Sequence, residues 1–281
     1  MRINEYYSQS AKTLLTTEDF LSLITYRVAR THQELEKAYN LVYREYLQRG
    51  YTKPTPKELK LSIYNALPQT TTFIALIGED IVSTVTVIPD SPLGLPMDEL
   101  YQEELNKLRS KKIRICEISM LASNSELFHK GVSLMLNSKK LLLVFFLFKL
   151  IFDYVRDYLS FDYICITINP KHSLTYDFLL FKELGELKSY KSVNNAPAIG
   201  KYLDLRSIEE ECKKNNRHNL YKIFFETKTS PEQFSAKYLF SQESLKYFFV
   251  EKTDVFRNAS PIQLNYLKIC YPDYDFDRII P

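Results

Sequence analysis

Residues 70–88 run TTTFIALIGEDIVSTVTVI. Two β-branched runs, Thr70–Ile77 and Ile81–Ile88, flank Gly78-Glu79-Asp80, the pattern of an antiparallel hairpin. Upstream, 23–30 (LITYRVAR) predicts a strand. Thr31 and Glu34 then form a capping box that opens a helix over 32–49. Its apolar positions Leu35, Ala38, Tyr39, Val42 and Tyr46 recur at three- and four-residue spacing, and Gly50 stops it. The segment 51–69, with Pro54, Pro56 and Pro68, is loop or broken helix. Beyond the hairpin, 97–110 form a polar amphipathic helix and 113–122 (IRICEISMLA) a strand. A loop of about fifteen residues leads into a helix over roughly 138–159. Phe161–Ile168 is a strand, 171–182 a helix, and 186–193 and 198–205 two more strands. From 206 onward the pattern is helical, with breaks at Ser230-Pro231 and Ser260-Pro261. Strands alternating with helices around one hairpin predict an α/β (α+β) protein with a mixed, mainly antiparallel sheet and helices on both faces. The expected organisation is an N-terminal segment (1–22), a core domain (23–205) and a C-terminal helical extension (206–281).

Composition narrows the function. At 45% hydrophobic and 25% charged residues the chain can bury a sizeable core, which excludes wholesale disorder. Thirty-seven basic residues against 34 acidic ones give a net charge of +3. With no basic stripe, nucleic acid is not an expected partner. Cys116, Cys165, Cys212 and Cys270 are far apart and show no metal-ligand spacing, so no metal site is expected. The apolar run LLLVFFLFKLIF (141–152) would be about 18 Å long as a helix, short of the roughly 30 Å of a bilayer core, and Lys149 interrupts it. It predicts no transmembrane segment, although so greasy a helix leaves peripheral lipid contact open. Polar residues Lys149, Asp153, Arg156, Asp157 and Ser160 predict one narrow wet stripe on the C-terminal half of that helix. The N-terminus carries no continuous apolar h-region, and the expected location is cytoplasmic.

Several segments, in order, resemble the N-acyl amino acid synthase family within the GNAT acyltransferases: RVARTHQELEKAYNLVYREYLQRGY, GEDIVSTVTVIPDSPLGLPMDELY, CEISMLA, INPKHSLTYDFLLF and NNAPAIGKYLDL. Together they cover about 23–205. The resemblance implies a GNAT-like fold and transfer of a long-chain acyl group from an acyl carrier protein thioester to the amine of an amino acid. The donor would carry a phosphopantetheine arm, and no separate cofactor is implied.

The residues can be set against that chemistry. An amine nucleophile must be neutral, so a base is needed near it. Glu117 sits mid-strand in an apolar run, where an unpartnered carboxylate would be costly. On residue pattern alone it is either a catalytic or acceptor-binding group or a buried structural one, and the resemblance favours the first. Tyr176 resembles the GNAT helix tyrosine that protonates the departing thiolate; with 21 tyrosines in the chain, plain packing is the competing reading. His172 is a further candidate, more ordinary as a hydrogen bonder at a helix start. Backbone N–H groups near Ser119, Met120 and Leu121, where two strands would splay, are expected to hold the oxyanion and the acyl carbonyl. Leu142, Phe145, Phe146 and Phe148 are expected either to line a tunnel for the acyl chain or to be core. Lys130, Lys139 and Lys140 suit an acidic carrier protein, and Arg44 (or Arg49) with Tyr51 an amino acid carboxylate. The segment after CEISMLA has one glycine, Gly131, and no basic Gly-rich pyrophosphate turn, which makes coenzyme A the less favoured donor. The alternatives are a coenzyme A-dependent GNAT enzyme and a catalytically idle acyl-binding module. Homoserine-lactone synthases share the fold, but the chain has no Trp and no paired acids in YREYLQRGY.

Overall fold

The computed structural model describes residues 22–126 and 134–280, with the side chains of 134–141 left out of the description. Strand β1 (Ile24–Val28) is followed by α1 (His32–Gln48), a 3-10 turn (Ile63–Ala66), β2 (Thr71–Ile77), β3 (Asp80–Pro89), α2 (Asp98–Ser110) and β4 (Ile115–Ser123). Next come α3 (Leu134–Asp153), β5 (Tyr163–Ile168), α4 (Ser173–Phe178), β6 (Lys182–Glu183), β7 (Lys188–Tyr190) and β8 (Ala196–Asp204). Short helices follow, among them α5 (Ile208–Lys214), α6 (His218–Tyr221), α7 (Gln242–Lys246), α8 (Pro261–Cys270) and α9 (Phe276–Ile279). The sheet order is β1-β2-β3-β4-β5-β8-β6, with β7 also paired to β8. Only β4 and β5 run parallel among these pairings.

Local chemistry sets these elements. Thr31 Oγ1 accepts from Glu34 N at the start of α1, while Glu34 reaches back to Arg30 N and to the Arg27 guanidinium. The cap is thus a variant of the expected box, with the carboxylate drawn one residue upstream by an ion pair. Gly50, just past α1, has φ +72°, the left-handed region glycine enters without steric cost. The predicted helix over 171–182 is shorter than expected, because Leu180 turns to φ +66° and Lys182 joins the sheet beside Tyr202. Likewise the predicted strand over 186–193 holds ladder pairing only at Lys188–Tyr190 before a 3-10 turn.

The sheet is packed on both faces. On one, α3 lies over Cys116, Ile118, Ile164, Ile166 and Leu203, and is covered from outside by Ile208, Cys212, Leu220 and Phe224. The Phe152 and Phe224 rings sit 4.4 Å apart between centroids. This accounts for a helix with little wet surface: it is buried between sheet and extension. The predicted wet stripe is corrected at Lys149 and Asp153 only, since Arg156 is half-buried and Asp157 and Ser160 are exposed. Lys149 and Asp153 form a buried ion pair, and Thr229 of the extension also donates to Asp153. On the other face α1 packs with Leu59, Leu61 and Ile63, and with Phe240, Leu245, Phe248, Phe249 and Phe256 of the extension. Residues 206–280 therefore complete the core on both sides. Among the described residues no helix is long and apolar enough to cross a membrane.

Candidate active site

The ladder between β4 and β5 pairs Ile115 with Tyr163 through Ile118 with Ile166 and then stops. On its other side, β4 pairs Ser119 with Thr86 and Ala122 with Thr84, leaving Met120 and Leu121 without register partners. Met120 takes φ +56°, so the strand bulges there. A bulge beside a ladder that has ended opens a gap in the middle of the sheet. A cavity of about 910 Å³ occupies it. Its walls come from both faces of the sheet: Tyr46, Lys60, Tyr64 and Glu117 on the α1 side, and Val144, Thr175 and Tyr176 on the side of α3 and α4.

Glu117 is 2% exposed and lines this cavity. One oxygen, Oε2, accepts from Met97 N at 2.8 Å, and no ion pair neutralises the group among the described residues. Burial pushes its pKa from an ordinary 4.5 up to about 8, against the lowering effect of the Met97 N–H. The amide is held in place by the loop that carries it. Arg109 makes paired contacts of 2.6–2.8 Å to Asp90 and to Asp98, tying the two ends of segment 90–98 together. Tyr176 also lines the cavity. Its ring packs edge-on against Phe148 and Phe181, and burial pushes its hydroxyl up to about 12, so it stays protonated at neutral pH.

Of the residues singled out from the sequence, Glu117, Ser119, Met120, Leu121, Tyr176, His172, Arg49 and Tyr51 stand together on the cavity wall. Others do not. Leu142, Phe145, Phe146 and Phe148 are absent from the wall, and among the described residues of their run only Val144 reaches it. Phe145 packs toward Phe224, Phe146 toward Tyr26, and Phe148 against Phe181. The expected acyl tunnel along that helix is thus corrected to a core helix, because α3 turns its aromatic residues into the sheet and the extension. Arg44 is exposed and off the wall, since it falls on the solvent face of α1. Lys130 lies outside the described residues, as do the side chains of Lys139 and Lys140.

Several wall residues carry little or no signal in the sequence. Lys60 and Tyr64 belong to a Pro-rich stretch without periodicity, which offers no signal for a facing direction. Tyr190 lines the wall and donates to Pro96 O at 3.1 Å. Thr167, one position beyond the last β4–β5 pair, buries a hydroxyl oxygen with no partner among the described residues, on the cavity wall. Gln263 of α8 brings the extension to the same wall.

Comparison with known proteins gives the family of the chain. The sequence model of the family described as N-acyl amino acid synthase FeeM matches residues 37–204. The solved structure of FeeM, an N-acyl amino acid synthase from uncultured soil microbes, is 28% identical; the match covers 68% of this chain and 96% of FeeM, with a TM-score of 0.57. The acyl-homoserine lactone synthase LasI is 12% identical over 65% of this chain and 89% of its own, with a TM-score of 0.46. An N-acetyltransferase from Staphylococcus aureus Mu50 is 14% identical over 65% of this chain and 98% of its own, with a TM-score of 0.44. No curated protein sequence matches significantly.

Proposed function

Because the chain belongs to the N-acyl amino acid synthase FeeM family, and so is an N-acyltransferase, we propose that it moves a long-chain acyl group from an acyl carrier protein thioester to the amine of an amino acid. The observation that carries this reading is a lone buried carboxylate, Glu117, beside the opening between β4 and β5 in a cavity of about 910 Å³. That volume is near the upper end of small-molecule pockets, roughly 300–1,000 Å³, which accommodates an acyl chain and an amino acid together. Apolar wall residues such as Leu61, Ile118, Leu121, Ile166 and Ile168 favour a fatty chain. A carrier-bound donor is favoured over coenzyme A by the single glycine, Gly131, between β4 and the body of α3.

In the proposed reaction the amine nitrogen attacks the thioester carbonyl carbon while the Glu117 carboxylate takes the amine's proton. A carboxylate whose pKa lies near the working pH is well matched to that transfer. The carbonyl oxygen becomes an oxyanion beside the bulge, where the backbone of Met120 and Leu121 has no register partner and can donate to it. Collapse breaks the C–S bond, and Tyr176 gives its proton to the departing thiolate of the phosphopantetheine arm. His172, on the same wall, serves as a hydrogen bonder near the leaving group.

The test is incubation of the purified protein with dodecanoyl-carrier protein, dodecanoyl-coenzyme A and the twenty amino acids, read by mass spectrometry. An N-dodecanoyl amino acid formed from the carrier thioester supports the proposal. Product from coenzyme A alone refutes the donor, and no product from either refutes the reaction.

A further inference from the structure

The cavity holds a cation that the proposed chemistry leaves unused. Lys60 lines it from the segment between α1 and the 3-10 turn, on the α1 side, across the sheet from Tyr176. Arg49, the other cation of that region, is already engaged: its Nη1 lies 2.6 Å from Glu45 Oε2 and 2.7 Å from Glu45 O. The Lys60 ammonium has no hydrogen-bond or ion-pair partner among the described residues. Its surroundings are partly desolvated, which lowers its pKa. An unpaired cation held out of water is costly unless an anion joins it.

The lysine is also firmly mounted. Lys60 N donates to Tyr39 O of α1 at 3.3 Å, and its neighbours Leu59 and Leu61 are buried in the core shared with the C-terminal extension. Tyr271 Oη donates to Ala66 O at 2.7 Å, so the extension fastens the far end of the same segment.

We propose that Lys60 anchors the α-carboxylate of the acceptor amino acid, which makes the free carboxylate a requirement of recognition. The inference rests on the reading given above, because Tyr176 marks the thiol side and leaves the Lys60 side for the acceptor.

The experiment compares amino acids with their C-terminal amides as acceptors, in the wild type and in Lys60→Met, which keeps an unbranched stem. The wild type is expected to prefer the acid by about 10- to 100-fold in KM, the range of one charged hydrogen bond. Lys60→Met is expected to collapse that ratio toward one, and Lys60→Arg to restore it in part. An undiminished ratio in Lys60→Met overturns the proposal, as does an effect confined to the KM of the carrier thioester, which would assign the lysine to the donor's phosphate. A second arm uses calorimetric binding of N-dodecanoylglycine and its methyl ester, which needs no turnover. Tighter binding of the acid, lost in Lys60→Met, sustains the anchor even if no acyl transfer is detected, and equal binding of acid and ester by the wild type overturns it.

Discussion

Glu117 carries two consequences of being buried without an ion-pair partner among the described residues. Its folded-state pKa is about 8 against an ordinary 4.5, so folding favours the neutral acid. That contribution is fully present below about 4.5 and is lost as pH rises through about 8, at about 1.4 kcal/mol per pH unit between them. Glu117→Gln is always neutral and can still accept from Met97 N. The substituted protein should therefore gain thermal stability relative to the parent as pH rises, the difference levelling off above about 8. A pH series of melting temperatures checks this, and parallel curves would contradict it. Activity should move the opposite way. Only the ionised carboxylate accepts a proton, so kcat/KM should climb toward a limb near 8 that Glu117→Gln abolishes, with rates lower by about 10²–10⁴-fold. A Gln variant with wild-type turnover would favour an idle binding module.

At the scale of elements, the site depends on how α2 and the end of the sheet are pressed together. Tyr101 of α2 is fully buried, and its hydroxyl donates to Glu186 O at 2.9 Å and Ala198 O at 3.1 Å. A Cβ at Gly200 on β8 would meet the Tyr101 ring at 2.9–3.1 Å, closer than side chains pack. Gly200→Ala should destabilise the fold by about 1–3 kcal/mol, the usual range for overpacking, and denaturant unfolding measures it. An unchanged midpoint would mean that α2 yields freely. Because α2 begins one residue after the Met97 amide that holds Glu117, the same substitution should also lower kcat. The bulge at Met120 works at this scale too. One residue at positive φ converts a regular strand into the rim of a cavity.

For the whole molecule, residues 206–280 lie beyond the matched family region yet form part of the core. Phe224, Phe248, Phe249 and Phe256 are each no more than 1% exposed. Removing a single buried phenylalanine side chain costs about 3–5 kcal/mol, and a domain's net stability is only about 5–15. A chain ending at Leu205 should accordingly be insoluble or lack a cooperative thermal transition. A soluble truncation with an unaltered melting temperature would show the extension to be an independent appendage. Gln263 on the cavity wall further ties this extension to the site.

Hydrophobic period, capping residues and turn glycines are local, and they were enough to give the order of strands and helices apart from the short β6, the hairpin at Gly78 and the stop of α1 at Gly50. They also singled out Glu117, since a carboxylate inside an apolar strand is conspicuous in one dimension. Which face α3 turns toward was not legible, because a run apolar on every side has no phase; only packing between sheet and extension directed Phe145 toward Phe224 and Phe148 against Phe181. Lys60 was equally silent, lying in a stretch without periodicity, and it reaches the cavity through contacts with segments distant in sequence. Local propensity thus settled most of the elements and their order, while long-range packing decided which side chains face the opening between β4 and β5.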